Sequence, residues 1–334
     1  MVAADGSPWL SLLVPVYQVE AYVEACLRSV LAQADAGVEI LVLDDAGRDG
    51  SWAKVEALAA AHPGRLRLLR HPQNRGIAAA RNTLLAQARG AYVWFLDSDD
   101  VLFPSALAAV RPLLAAPDAP DLLLCDFALL RARPRLRHRL RGEGHRRTHL
   151  AAPIRTSSDR AALAAGWLWR RQLHPWSKIG RRQVWQQVEF AQGRYFEDMA
   201  AIPDLLRASA TWAYLPRPLV GYRQHPASIV ASPTPAKLRD LLWAHARLRT
   251  GVLALAEGGD PRVQAALDYF GLRTFANLAR KLGREDPALE AEARVAFVAA
   301  FPDLGRAALR ALRARGEWLR AWRIRRSLAR RGWA

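Results

Sequence analysis

The chain has 334 residues, of which 51% are hydrophobic and 24% are charged, so the composition excludes a disordered or fibrous protein. A chain of this length can bury a sizeable core in one large domain or two small ones. We expect neither a transmembrane helix nor a signal peptide, because no apolar run approaches a membrane span and Met1–Pro8 lacks a basic region. Cys26 and Cys125 lie far apart in apolar segments, which favours free buried thiols in a reducing cytoplasm.

The formal net charge of +18 is unevenly distributed along the chain. Residues 1–130 hold 10 Lys and Arg against 15 Asp and Glu, a net charge of −5, whereas residues 131–334 hold 39 against 16, a net charge of +23. A uniformly basic protein would indicate nucleic-acid binding. The segregation instead favours a second half that faces an anionic surface or substrate.

Over the first 130 residues, short apolar runs alternate with segments of helical spacing. The predicted strands are Leu10–Val16, Val38–Leu43, Leu66–Leu69, Ala91–Leu96 and Asp121–Phe127. The predicted helices between them are Glu20–Gln33, Ser51–Ala61 (with Ser51 as its cap), Ile77–Ala88 and Pro104–Leu114. This alternation predicts an α/β fold with a doubly wound, mostly parallel sheet, which binds ligands beyond the carboxyl ends of its strands.

Beyond residue 130 the pattern is more mixed. Arg131–Arg141 alternates arginine with other residues, but Pro134 and Gly142 favour a loop or an edge hairpin over a strand. The basic run continues to Arg147, and it fits either a solvated charged face or a loop facing an anion.

From Ala236 onward the pattern is helical, with breaks near Gly258–Gly259, Gly283 and Pro302. The segment Arg306–Arg331 carries ten arginines among leucines and Trp322. Such a segment can lie on an anionic membrane surface, or it can pack its apolar stripe onto the domain as a terminal helix. The sequence leaves both readings open.

The most informative stretch is Asp97-Ser98-Asp99-Asp100, which directly follows the predicted strand Ala91–Leu96. Its three carboxylates repel one another unless a cation neutralises them, and carboxylate oxygens suit magnesium or manganese. The alternative is that Asp99 and Asp100 cap the next helix. Because Asp44-Asp45 falls at the same edge of the predicted sheet, the two acidic pairs form one candidate site.

Common nucleotide and hydrolase motifs are absent from the sequence. It contains no G-x-x-x-x-G-K loop, no G-x-G-x-x-G after the first strand, no C-x-x-C or H-E-x-x-H, and no G-x-S-x-G. An acidic metal cluster suits a nucleotide whose diphosphate becomes a leaving group. Asp45 is placed to accept a hydrogen bond from a base or ribose, unless it only forms a turn.

A second polar cluster combines Trp176-Ser177-Lys178 with Glu197-Asp198, which open the predicted helix Met199–Arg207. A carboxylate at a helix start tends to stay ionised and suits a general base, although the same position also serves as a helix cap. Lys178 could reach a phosphate or a carboxylate, or lie along the surface.

A third polar cluster, Tyr222-Arg223-Gln224-His225, follows the predicted strand Pro218–Val220. Arg223 or His225 could contact a diphosphate, because a charged donor makes strong hydrogen bonds to phosphate oxygens. A lone histidine is more often structural.

Five segments together resemble the family 2 glycosyltransferases of bacteria, whose fold is the nucleotide-sugar-binding GT-A type. They are Leu13–Tyr17 with Val19, Glu20 and Tyr22; Ile40–Asp45 with Asp49–Ser51; Asn74–Ile77 with Ala80–Asn82, leading into Gly90–Asp100; Trp176–Lys178 with Arg181 and Arg182; and Phe196–Asp198. Their order and spacing are similar to the family over residues 10–230. Residues 222–229 also resemble the end of the catalytic domain in enzymes that build capsule, lipopolysaccharide or teichoic-acid chains.

The resemblance implies roles for individual residues. The nucleotide-sugar pocket would be lined by Pro15, Tyr17, Asp45, Arg81, Asp97 and Ser98. Asp97 and Asp99 would form the D-x-D metal motif, with Asp99 the more direct ligand, and Asp198 would be the catalytic base beside Glu197. Further contacts to the diphosphate or acceptor would come from Trp176, Lys178, Arg223 and His225.

The resemblance further implies an inverting glycosyltransferase that uses Mn²⁺ or Mg²⁺. It would move a hexose or N-acetylhexosamine from a nucleotide sugar, with UDP as the expected nucleotide, to a saccharide or lipid-linked acceptor in cell-envelope polysaccharide synthesis. The GT-A catalytic domain would span residues 1–235, with the nucleotide sugar on 1–130 and the acceptor on 131–235, and a basic helical extension would span 236–334. We expect a cytoplasmic protein that can contact the anionic inner face of the membrane.

Two other functions compete with this interpretation. One is a nucleotidyltransferase on a similar sheet. The other is a non-enzymatic nucleic-acid binder, which the basic run Arg131–Arg147 does not favour because it holds no aromatic residue besides histidine.

Two departures from the family pattern are visible. Gln18 stands where the family often has Asn, and Ala46-Gly47 replaces a common Gly-Ser. Both lie in loops near the predicted base pocket and could tune the choice of donor.

Overall fold

The computed structural model describes residues 7–131, 136–140, 142–224, 234–282 and 286–333. The chain divides into two compact units, the first made of residues 1–160 with 172–226 and the second of residues 161–171 with 227–334. The domain boundary predicted at residue 235 stays a prediction. The grouping adds a feature that the sequence did not suggest, because residues 161–171 belong with the C-terminal helices.

The elements follow one another in a strand–helix alternation that gives way to helices. The strands are β1 (Leu10–Val16), β2 (Val38–Asp44), β3 (Leu66–Arg70), β4 (Tyr92–Phe95), β5 (Val101–Leu102), β6 (Leu122–Leu130), β7 (Ile154–Ser157), β8 (Lys178–Arg181) and β9 (Trp212–Arg223). The α-helices are α1 (Val23–Leu31), α2 (Ser51–Ala61), α3 (Gly76–Gln87), α4 (Ala106–Leu114), α5 (Leu136–Leu140), α6 (Arg160–Arg170), α7 (Arg182–Trp185), α8 (Glu197–Ala208), α9 (Pro235–Leu253), α10 (Pro261–Lys281), α11 (Pro287–Ala300), α12 (Arg306–Ala314) and α13 (Trp318–Ala329). Short 3₁₀ turns span Pro175–Ser177 and Ala256–Gly259.

The first unit is built on one sheet with the strand order β3-β2-β1-β4-β8-β6-β9-β5, and β7 pairs with β9. Strands β3, β2, β1 and β4 are mutually parallel, which confirms the predicted α/β fold. The sheet then becomes mixed, because β8 runs antiparallel between β4 and β6 while β6 and β9 are parallel.

The burial of these strands explains why their sequences are uninterrupted apolar runs. Every residue of β1 and of β4 is buried, as expected for strands covered by helices on both faces. The register aligns Val16 of β1 with Asp44 of β2, and the backbone N–H of Leu96 donates to the carbonyl of Leu13 at 2.9 Å. The carboxyl ends of β1, β2 and β4 therefore meet at one edge.

Three local predictions differ from the structure. Helix α4 begins only at Ala106, so Asp99 and Asp100 do not cap it. Ser51 is the first residue of α2 rather than its cap, and its hydroxyl accepts a hydrogen bond from the N–H of Val19 at 2.8 Å. In the arginine-rich segment, residues 136–140 form a helix where a loop or hairpin was predicted, while residues 132–135 and 141 lie outside the described residues.

The second unit is helical, as predicted. Its core includes Leu248, Phe275 and Phe297, and the Phe275 and Phe297 rings meet edge to face at 5.3 Å. Within the described residues, none of the helices combines the length and the apolar character needed to cross a membrane. The predicted break at Gly283 lies outside the described residues.

We expect Gly90→Ala to destabilise the protein by about 2–3 kcal/mol, because overpacking against backbone cannot be relieved by a side-chain rotation. A Cβ at Gly90 would lie 2.6 Å from the carbonyl carbon of Leu10 and would also clash with the N–H of Ser11. Urea denaturation followed by circular dichroism measures the loss. Gly259→Ala is the control, since a Cβ there meets nothing within 4 Å; equal effects of the two changes would contradict the packing argument.

Candidate active site

The edge formed by the ends of β1 and β2 carries the residues predicted to bind the base. Pro15 is buried within β1, whereas Tyr17, just beyond it, is 44% exposed. An exposed ring at the carboxyl edge of a parallel sheet is available to stack on a planar base.

Asp45 is a buried anchor for the chain that leads into α3. Its Oδ1 accepts hydrogen bonds from Nδ1 of His71 at 2.7 Å and from the N–H of Arg75 at 2.9 Å. Its Oδ2 accepts from Nδ2 of Asn74 at 2.9 Å and from the N–H of Gly76 at 2.8 Å. Both oxygens are thus already used, so a base or ribose would have to share or displace one of these bonds. The predicted ligand contact of Asp45 stays a prediction.

The two departures from the family pattern fall on strained backbone. Gln18 has φ 50° and Ala46 has φ 56°, a left-handed region in which asparagine and glycine are far more comfortable than glutamine and alanine. The loop after β2, which contains Ala46, is nevertheless held in place. Asp44 accepts a hydrogen bond from the N–H of Gly47 at 2.9 Å and forms an ion pair with Arg70 at 2.9 Å.

The acidic stretch after β4 forms a turn in which the N–H of Asp100 donates to the carbonyl of Asp97 at 3.0 Å. Asp100 is fully buried; one oxygen accepts from the N–H of Arg223 at 2.8 Å, and the other has no partner among the described residues. Burial, with the nearby Asp99 and Asp97 carboxylates, raises the pKa of Asp100 to about 9. Ser98 is buried as well. Asp100 therefore holds a proton at neutral pH, while Asp97 of the same turn pairs with Arg81.

The residues of this turn could bind a divalent cation whose remaining coordination positions are filled by water and by the phosphates of a bound nucleotide. Among the described residues, no three His, Cys, Asp or Glu side chains converge on a point that could hold a metal ion. Magnesium keeps several waters and is commonly held by one or two carboxylates plus substrate phosphates, so a protein cage is not required. Asp97 and Asp99, both only partly buried, offer that number of carboxylates.

Arg81 joins the end of β4 to the start of α8. The guanidinium is buried; Nη2 donates to Oδ1 of Asp97 at 2.9 Å, and Nη1 donates to Oε1 of Glu197. Burial opposes the charge, but the Asp97 and Glu197 carboxylates outweigh it and raise the pKa of Arg81 above its usual value. The residue predicted to approach the nucleotide thus lies between two of the predicted site carboxylates.

Glu197 and Asp198 are the first two residues of α8. The preceding Phe196 has φ 62°, an outlier for a bulky residue and a sign of local strain. Burial raises the pKa of Glu197 to about 7, against the opposing charge of Arg81. The side chain of Asp198 is 22% exposed; Oδ1 accepts from the N–H of Met199 at 2.7 Å.

Two residues that had no role predicted from the sequence also shape this site. Nδ1 of His174 lies 3.7 Å from Oδ2 of Asp198, and its ring stacks on Trp176 at 4.8 Å. Asn82 holds the chain before α8 through a reciprocal pair of hydrogen bonds with the backbone of Phe190, at 2.9 and 3.0 Å. His174 stands two residues before the Trp176 motif, a proximity that could have flagged it.

The predicted diphosphate or acceptor contacts are placed differently from one another. Lys178 is buried, which excludes the surface position, and its Nζ donates to the carbonyl of His174 at 2.8 Å. Trp176 is also buried, and its carbonyl accepts from Nε1 of Trp94 at 2.7 Å. Arg223 is partly buried and donates from Nε to the carbonyl of Asp99 at 2.8 Å. His225 lies outside the described residues.

Solved structures of similar fold are glycosyltransferases. The structure of S. aureus TarS 1-349 in complex with UDP-GlcNAc is 19% identical in sequence, with a TM-score of 0.71 over 96% of this chain and 91% of that one. The mannosyltransferase PcManGT from Pyrobaculum calidifontis, in complex with GDP-Man and Mn²⁺, is 20% identical with a TM-score of 0.53 over 98% and 88%. At these identities the likeness shows the fold, which is the GT-A fold of a glycosyltransferase.

Sequence comparison finds relatives for the first part of the chain. Residues 11–146 match Glycosyl transferase family 2. The Escherichia coli UDP-Glc:alpha-D-GlcNAc-diphosphoundecaprenol beta-1,3-glucosyltransferase WfgD is 38% identical over 98 residues, 29% of this chain and 38% of that protein. The similarity to two Bacillus subtilis glycosyltransferase relatives covers 34% and 64% of their lengths. Residues 11–146 therefore carry a family 2 glycosyltransferase domain, and the relatives that match this part of the chain are named as glycosyltransferases.

Lys178 gives the site a pH-dependent stability. Burial lowers its pKa from 10.5 to about 7, so between these values the unfolded chain binds more protons than the folded one and stability rises with pH. We expect the free energy of unfolding to gain about 1–3 kcal/mol from pH 7 to pH 9 in the wild type relative to Lys178→Met. Urea titrations at both pH values measure this. Lys54→Met, at an exposed lysine, should keep the wild-type slope; a wild-type slope in Lys178→Met would refute the assignment.

Proposed function

We propose that the protein is a metal-dependent inverting glycosyltransferase that moves a hexose or N-acetylhexosamine from a UDP-linked donor to a saccharide or lipid-linked acceptor of the cell envelope. The observation that carries the proposal is the double ion pair of Arg81, with Asp97 on one side and Glu197 on the other. Through these two ion pairs, Arg81 links the acidic turn, which is the candidate diphosphate site, to the start of α8. The candidate base, Asp198, is the second residue of that helix.

The donor side is supported by the edge of the sheet. Tyr17 offers an exposed ring for the base, and the chain anchored on Asp45 leads directly into α3, which carries Arg81. TarS, the structural neighbour with the same fold, was solved with UDP-GlcNAc, and WfgD is named for transfer from UDP-Glc. These two similarities support a UDP-linked donor, and because PcManGT was solved with GDP-Man, the assay below compares donors of both kinds.

Asp198 is the better candidate for the general base. The neighbouring Glu197 is buried and engaged by Arg81, whereas Asp198 is partly exposed at the start of the same helix. In the proposed reaction Asp198 takes the proton of an acceptor hydroxyl as its oxygen bonds to the anomeric carbon. The bond from that carbon to the diphosphate breaks on the opposite face, so the configuration inverts and the nucleoside diphosphate departs.

The acidic turn supports a role for Mn²⁺ or Mg²⁺ held by Asp97 and Asp99. Such an ion, when bound, neutralises charge on the departing diphosphate. Arg81 orients the Asp97 carboxylate, because its Nη2 donates a hydrogen bond to Oδ1 of that group.

The acceptor side rests on composition and on one relative. WfgD is named for an acceptor on diphosphoundecaprenol, a lipid carrier. The net charge of +23 over residues 131–334 suits a phosphate-bearing acceptor presented at the inner face of the plasma membrane. We therefore propose a cytoplasmic enzyme that works on a lipid-linked saccharide.

Asp198→Asn should lower transfer by about 10²–10⁴-fold while donor binding is retained, because the amide fills the same space but cannot take a proton. A nucleotide-release assay over UDP-, GDP- and TDP-sugars measures turnover, and isothermal calorimetry measures donor binding. Asp204→Asn is the matched control on α8, where Asp204 pairs with Arg207 at 2.7 Å. Near-wild-type turnover of Asp198→Asn would show that another group is the base.

Chelation should abolish transfer, and added manganese should restore it. In Asp99→Asn the manganese concentration for half-maximal rate should rise at least about tenfold, because one of two carboxylate ligands is lost. The same assay should detect a nucleoside diphosphate as product. Full activity in excess chelator would remove the metal from the proposal, and release of pyrophosphate would indicate a nucleotidyltransferase instead.

A further inference from the structure

Helix α13 presents two different faces. Its inward face is buried in the second unit through Ala321, Ile324, Ser327 and Leu328. Its outward face carries large apolar side chains in the open: Trp318 is 65% exposed, Leu319 59% and Trp322 50%. Exposed aromatic residues that lie this close together are unusual on a soluble surface and mark an interaction site.

The spacing places these side chains on one stripe. At 3.6 residues per turn, Trp318 and Trp322 lie one above the other, and Leu319 lies beside them. Arg325 and Arg323 fall on the two flanks of that stripe, and both are exposed. The outward face is therefore an aromatic centre with a cationic border.

The charge on this face is not compensated within the part of the chain that the structure describes. Helix α13 contains four arginines and no acidic residue. The charge of Arg320 is compensated, because its guanidinium forms an ion pair with Glu317 at 2.7 Å. Arg326 lies over the Trp322 ring at 5.2 Å, while Arg323 and Arg325 form no ion pair with a described residue.

We propose that this face, defined as Trp318, Leu319 and Trp322 with Arg323, Arg325 and Arg326, docks on the surface of an anionic lipid bilayer. Tryptophan rings prefer the boundary between headgroups and acyl chains, and each arginine near an anionic surface adds attraction. An amphipathic helix with tryptophan or leucine on one stripe and arginines at its border lies in the plane of the interface.

A second copy of the chain is a poorer occupant for the same face. A two-fold contact would bring the uncompensated arginines of both copies together, and like charges at close range oppose association. A single-stranded nucleic acid could stack on the tryptophans, and its binding is one of the outcomes that the test below distinguishes. The inference does not depend on the proposed glycosyl transfer, because membrane binding is measured without turnover.

The test is flotation of the full chain with vesicles of pure phosphatidylcholine and of phosphatidylcholine with about a third phosphatidylglycerol, at physiological salt. We expect binding to the anionic vesicles only. Trp318→Ser/Trp322→Ser and, separately, Arg323→Glu/Arg325→Glu should each weaken that binding by about tenfold or more. Circular dichroism checks that each variant is folded, which the exposure of all four side chains favours.

Matched control variants distinguish binding through this face from non-specific effects of exposed apolar side chains and of net charge. Val295→Ser/Val298→Ser removes exposed apolar side chains on α11, and Arg217→Glu/Arg294→Glu makes the same change in net charge at exposed sites on β9 and α11. Both controls should bind like the wild type. The proposal fails if the controls lose as much binding as the α13 variants, or if the wild type binds both vesicles equally.

Two other occupants have their own readouts. Light scattering would show a dimer that the α13 variants dissolve, and fluorescence anisotropy would show tight binding of a single-stranded oligonucleotide at physiological salt. Either result, with no vesicle binding, would overturn the proposal. Transfer to a water-soluble acceptor should be unchanged in the α13 variants, so a failure here is distinguishable from a failure of the proposed reaction.

Discussion

The candidate site depends on one buried cation. Arg81 pays the desolvation of a guanidinium, and it persists because Asp97 and Glu197 both accept its hydrogen bonds. Removing either carboxylate would leave the buried guanidinium with one of its two ion pairs, so the end of β4, helix α3 and the start of α8 hold one another in place. The aromatic ring of Phe190, 5.6 Å from the guanidinium, completes its surroundings. The site is therefore an electrostatic unit rather than a set of separate motifs.

Backbone strain borders this unit. Phe196, directly before α8, has a left-handed backbone, as do Gln18 and Ala46 beside the edge predicted to bind the base. Residues in sparsely populated backbone regions persist only where the surroundings fix them, and they cluster at functional sites. Here the fixing contacts are visible, since Asn82 holds the chain ahead of α8 and Asp44 holds the loop at Gly47.

Local patterns were sufficient to predict much of the first unit. The strands β1, β2 and β4 are buried on both faces, so they appear in sequence as apolar runs. The parallel register brings the aspartates at the ends of β2 and β4 to the same edge. The ion pair between Arg81 and Glu197 joins residues 116 positions apart, and no local pattern encodes it. The burial of Lys178 was equally hidden, because a lysine is buried only when carbonyls at the right distance accept its hydrogen bonds. For Asp45 the sequence could not distinguish two roles. An aspartate that binds a ligand and one whose oxygens are all occupied by hydrogen bonds within the protein have the same sequence pattern.

The membership of α6 in the second unit bears on how the molecule can be divided. Trp169 in α6 stacks on Tyr269 at 4.4 Å, and the following Arg171 donates to the carbonyl of Phe270 at 2.6 Å. A protein shortened to residues 1–235 would keep this tryptophan and this arginine but lose the helix that receives them. The C-terminal helices are consequently not a detachable tail: a truncation that aims to isolate the transferase would expose a new apolar surface in its middle.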